Sequence, residues 1–100
     1  MSEELSTELY RQDGAASRSV RLTVKADGSV LLDAQDMGEL VEKTWGDSDY
    51  EFWIDIPASA IPKLLFALLR DRYAGHASAV DELRTFCEEH GIGYKWDHWA

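Results

Sequence analysis

Asp47, Asp49 and Glu51 place three carboxylates at alternate positions, the spacing with which an EF-hand calcium loop begins. That loop also needs glycine at its sixth position and glutamate at its twelfth, where this chain has Phe52 and Ala58. The stretch therefore reads as a turn leading into a strand, and no metal site is expected in it. Asp33 with Asp36, and Asp47 with Asp55, are spaced for acid–base work. Such work requires one carboxyl of a pair to be buried with a raised pKa. Nothing in the local sequence enforces that, and a segment this rich in acids makes chance pairs unavoidable. Cys87 and His90 form a Cys-x-x-His half-site with no second half, whereas a zinc site normally draws on four ligands. As a nucleophile pair they lack the helix-start setting that lowers a thiol pKa. Cys87 is expected to pack as a small apolar group and His90 to sit at a helix C-terminus. No catalytic residue, metal or cofactor is assigned, and there is no Gly-rich phosphate loop or Gly-x-Ser-x-Gly elbow.

The tryptophans offer a different chemistry. Trp45, Trp53, Trp96 and Trp99 make four in 100 residues. Trp45 fits the apolar side of a short helix. Trp53 is out of phase with Tyr50, Phe52, Ile54 and Ile56, which puts it on the opposite strand face beside Glu51 and Asp55. An exposed tryptophan bordered by carboxylates suits a basic or aromatic-rich partner. The alternative is that both sheet faces are covered, one by helices and the other by residues 35–46. The candidate partner-binding set is Asp47, Asp49, Glu51, Trp53 and Asp55.

Charge sharpens that choice. The formal net charge is −9, and residues 27–59 hold nine acids against the single base Lys43. Such a segment repels nucleic-acid phosphates, which are bound through clustered Lys and Arg. It would attract a basic protein and speed the encounter; the alternative is that it serves solubility alone. The start, MSEELSTEL, has neither the basic flank nor the apolar stretch of a signal peptide. The longest apolar run, Leu64 to Leu69, is far shorter than a membrane span. One cysteine permits no internal disulfide and suits a reducing cytoplasm. Oligomeric state is left open.

The elements that would position these residues make one α+β domain, with residues 1–7 as a loose terminus. Glu8 to Gln12 suggests a short edge strand. Val20, Leu22 and Val24 alternate with polar residues, Asp27-Gly28 supplies positive φ angles for a tight hairpin turn, and Val30 to Ala34 returns. Residues 35–46 are open between loop and short helix, with Asp36 as a cap and Met37, Leu40, Val41 and Trp45 facing inward. Tyr50 to Ile56 is a third strand, ended by Pro57. A helix follows from Ala60 to Tyr73, with Arg70 and Arg72 in its last turn and Gly75 beyond. Ser78 and Asp81 have the spacing of a capping box for a second helix reaching His90, where Gly91 fits a left-handed stop. Tyr94 to Trp99 alternates like a final strand. The expected architecture is a mainly antiparallel sheet of three to five strands with two C-terminal helices packed on one face.

Two stretches carry a family resemblance. Asp33-Ala34-Gln35-Asp36-Met37-Gly38 and Trp45-Gly46-Asp47-Ser48-Asp49-Tyr50-Glu51-Phe52-Trp53, followed by Ile56-Pro57, resemble small bacterial proteins. These pair a Gly-Gln-Asp-Leu-Gly turn with a Trp-Gly-Asp-x-x-Tyr-Glu-Tyr run and a leucine-rich helix. Ala34 and Met37 depart mildly from that pattern. The resemblance covers about Val20 to Tyr73 and implies bacterial origin and a common fold, without an assigned activity. In size and acidity some such proteins are similar to immunity partners of secreted toxins. The expected function is a non-enzymatic acidic interaction module, immunity- or antitoxin-like, toward a basic protein partner. The alternative is a small-ligand binder or enzyme using a carboxylate and tryptophan cleft.

Overall fold

The computed structural model describes residues 3–38 and 49–99. The chain forms two compact units, Met1–Leu64 and Leu65–Ala100, and has an α+β composition.

Four antiparallel strands lie side by side in chain order: β1 (Leu5–Gln12), β2 (Ala16–Val24), β3 (Val30–Gly38) and β4 (Asp49–Ile56). Strict alternation decides which side chains share a face. In β2 and β3 the pairs Val20 with Ala34, Leu22 with Leu32 and Val24 with Val30 stand opposite each other. From β4, Phe52, Ile54 and Ile56 extend the same three rows. This gives one apolar face, centred on Ala34, which is 8% exposed. Cross-strand β-branched and aromatic contacts of this kind are the unit of sheet stability. The rows end at Arg18, whose guanidinium makes two bonds to the Asp36 carboxylate (2.5 and 2.6 Å) and lies 5.4 Å from the Phe52 ring centroid.

The structure revises several expectations. β1 starts at Leu5, so part of the supposedly loose terminus is strand, and Leu9 forms a bulge between Glu8 and Tyr10. Residues 35–38 continue β3 instead of starting a helix, and Asp36 pairs with Arg18 rather than capping. Tertiary pairing thus overrides the local helical pattern at this point. Leu40, Val41 and Trp45 lie outside the described residues. The β2–β3 hairpin is present, but Gly28 alone has positive φ there (88°). Lys25 and Gly28 close the turn, and Lys25 N–H donates to Ser29 O, giving a loop of three residues. Asp27 contributes through its side chain: the carboxylate accepts both the Ser29 N–H (2.9 Å) and its hydroxyl (2.6 Å).

A 3₁₀ turn, Ala58–Ala60, leads from Pro57 into α1 (Ile61–Tyr73), where Pro62 falls in the first turn and costs no internal hydrogen bond. Arg70 and Arg72 occupy the last turn, and Gly75, with φ of 83°, follows. The second helix, α2 (Ala79–Glu89), places Asp81 and Glu82 in its first turn, where negative charge suits the helix dipole. Its capping box does not form. Ser78 donates its hydroxyl to the Glu82 carboxylate (2.6 Å) and leaves the backbone uncapped by a side chain. The C-terminal stop matches the expectation: Gly91 has φ of 66°, and Ile92 N–H donates to Cys87 O (2.8 Å). Tyr94 to Trp99 is irregular and not a strand; Tyr94 and Trp96 are instead engaged along α2.

Candidate functional site

The other face of the sheet is polar, and its charges are sorted by strand. On this face β2 carries Arg21 without an acid, while β4 carries Glu51 and Asp55 without a base. Arg21 and Thr23 are on this polar face, where Ser6 receives a hydrogen bond from Arg21 (3.0 Å) and contacts the Thr23 hydroxyl (3.1 Å). At the β4 side, alternation with Phe52 and Ile54 puts Glu51, Trp53 and Asp55 on the same face. Register sets Asp33 directly opposite Trp53, and Gln35 opposite Glu51.

Trp53 is 64% exposed, and Glu51 and Asp55 are exposed beside it. Asp55 accepts a hydrogen bond from Lys25 Nζ (3.1 Å), so part of its charge is met within the sheet. Asp49 opens β4 as the register partner of Met37. Asp47 and Trp45 lie outside the described residues. Of the five candidate residues, three are therefore brought together around an exposed indole. Asp33 is a third acid on that face. Alternation alone gives its face but not its neighbour, because the β3–β4 register depends on the chain between those strands.

Of the candidate acid–base pairs, Asp33 with Asp36 does not assemble, and Asp47 with Asp55 lies partly outside the described residues. Asp33 and Asp36 fall on opposite faces of β3, and Asp36 is held below the usual carboxylate pKa by its hydrogen bonds from Arg18. Asp27 is likewise lowered, chiefly by the Ser29 hydroxyl and then by its N–H. A shallow depression of about 470 Å³ runs past Lys25, Asp27, Ser29 and Asp55. Ser29 is buried at its rim.

Among the described residues of the helical unit, the thiol and the Ser, His and Glu side chains are engaged as follows. Cys87 is buried, and the His90 ring packs on Phe86 at 4.3 Å between centroids. Glu82 bridges Ser78 and His76 Nδ1 (3.1 Å), and its pKa is lowered first by the Ser78 hydroxyl and then by His76. The carboxylate, not the imidazole, receives the Ser78 proton donor, so the geometry lacks the hydroxyl–imidazole contact of an activated nucleophile. Among the described residues no group of three His, Cys, Asp or Glu side chains is placed to hold a metal. No helix among them is long and apolar enough to cross a membrane.

No family model matches the chain, and neither a curated protein nor a solved structure does.

Proposed function

We propose that the chain is a non-enzymatic acidic interaction module whose β4 face docks a basic protein, in the manner of an immunity protein or antitoxin. One observation carries this reading: Trp53 is 64% exposed on the polar sheet face, between Glu51 and Asp55. A large indole left open to water gains free energy when covered, and a guanidinium or ammonium can stack on its face. The surrounding carboxylates would draw such a cation in and then accept its hydrogen bonds. The Asp33 row adds to that field, whereas Arg21 lies toward β2. Asp47 and Asp49 belong to the proposed contact set through their place in sequence. Glu51 and Trp53 stand on an open strand face, which favours a docking surface over a small-molecule cleft.

Binding to an arginine-containing peptide, followed by tryptophan fluorescence and titration calorimetry, tests the proposal. Trp53→Ala removes no charge and should weaken binding by roughly thirtyfold, the scale of an interface hot spot. Glu51→Lys should weaken it further and flatten its salt dependence, while Glu89→Lys on α2 makes the same net-charge change and should leave affinity nearly intact. Equal losses from Glu51→Lys and Glu89→Lys would mean that bulk charge alone attracts the peptide, and the proposed face would be wrong.

A further inference from the structure

The segment after α2 returns to that helix through side chains. Tyr94 Oη donates to the Glu88 carboxylate, a contact that also holds the phenol above its usual pKa. Arg84, one helical turn before Glu88, places its guanidinium 4.4 Å from the Trp96 ring centroid. Residues four apart share one side of a helix, so both contacts grip the tail along a single line. Between the helix and the tail lies a cavity of about 210 Å³, lined by Leu83 and Cys87 from α2 and by Tyr94 and Trp96 from the tail. Cys87, the only thiol of the chain, is 9% exposed. Arg84 Nε is shielded from water without a hydrogen-bond acceptor, a polar cost, and the guanidinium is held by the ring face together with Asp81, 3.7 Å from Nη1.

We propose that residues 93–99 are a strap, clasped at Arg84 and Glu88, which closes over Cys87 and swings away while α2 stays folded. The tail forms no strand or helix. Gly93 has open space around its Cα and can act as the pivot. Few contacts and much exposed chain are the marks of a segment that opens locally, well below the free energy of global unfolding. Opening would bare the apolar strip at Leu83 and the thiol together, and would free the Trp96 ring. This device is independent of the β4 face, and its test does not involve a partner.

Cys87 reports on the strap directly. The native chain is treated with a disulfide reagent that releases a coloured thiolate, and labelling is followed at increasing low urea. The intact protein should label slowly, with a rate that hardly changes over that range. Tyr94→Phe and Trp96→Ala alter only the tail, so α2 helicity by circular dichroism should be retained. Each should speed labelling by roughly two- to fivefold, the equilibrium shift that an exposed cation–π contact supports. Arg84→Ala, which breaks the clasp from the helix side, should match Trp96→Ala. Unchanged rates in the tail variants would overturn the strap. So would labelling whose urea dependence equals that of global unfolding, because the thiol would then be released only with the whole unit.

Discussion

Replacing Gly38 with alanine should damage the sheet more than a methyl addition at any other described glycine. Gly38 ends β3 opposite Ala16, with φ of 125°, a conformation that side chains rarely adopt. A Cβ built there would lie 2.2 Å from the Ala15 carbonyl oxygen and 2.8 Å from Ala16 Cα. Both are backbone atoms, so relief requires the end of β2 to move away from β3. The backbone strain alone is about 1–3 kcal/mol, and displacing packed neighbours adds a similar amount. A combined loss of about 3 kcal/mol corresponds to a fall in Tm of roughly 12–24 °C for a domain of this size. Gly14→Ala is the matched control. It sits in the adjoining β1–β2 loop at φ of 142°, yet its Cβ would approach nothing closer than 3.8 Å. Urea and thermal unfolding by far-ultraviolet circular dichroism should therefore separate the two variants, with Gly38→Ala lower by at least about 1 kcal/mol. Equal stabilities would refute the close approach of β2 to β3 at Gly38, and with it the register that pairs Arg18 with Asp36.

Acid should weaken the sheet through Asp36 and Asp27. Both have folded pKa values below the ordinary 3.8, so their contribution is present above that value and is lost as pH falls through the lower folded one. Asp36→Asn should accordingly lower Tm at pH 7 and converge with the parent protein near pH 2 in a pH series of melts. Gly91→Ala should cost about 1 kcal/mol through its left-handed φ, with no steric clash, measured as a lower urea midpoint for the helical signal. Trp53→Ala should leave stability within about 0.5 kcal/mol in the same assay, as expected for an exposed side chain, so its effect on peptide binding is separable from folding.

How far the sequence discloses this molecule depends on how local the deciding interaction is. The alternation of Val20, Leu22 and Val24, and of Tyr50 to Ile56, is a period-two signal that survives any environment, and both strands form. Gly75 and Gly91 announce helix ends through the backbone conformations that they alone adopt readily, and both take them. Residues 35–38 show the opposite case. Their spacing admits a helix, but Asp36 finds Arg18 across eighteen residues of chain, and β3 extends through them. Ser78 has a cap's spacing, yet the nearby Glu82 carboxylate takes its hydroxyl. Both misreadings involve a polar side chain choosing a charged partner over the backbone, a choice no one-dimensional pattern records.

The same distinction governs the candidate site. Phase along β4 is local, so the sequence correctly places Trp53 opposite Phe52 and beside Glu51 and Asp55. Asp33 escapes notice because its importance comes from register with Trp53, set by the path between β3 and β4. The partial neutralisation of Asp55 by Lys25 escapes for the same reason, since thirty residues separate them. These non-local additions shift the centre of the acidic field. Asp55 is paired at one end of the row, whereas Glu51 and Asp33 flank the indole on its other sides. A guanidinium stacked on Trp53 would accordingly find its carboxylate partner in Glu51 or Asp33, so Asp33→Asn should weaken the arginine peptide more than Asp55→Asn. The reverse order in titration calorimetry would place the cation toward Lys25, where like charge opposes it, and would argue against stacking on Trp53.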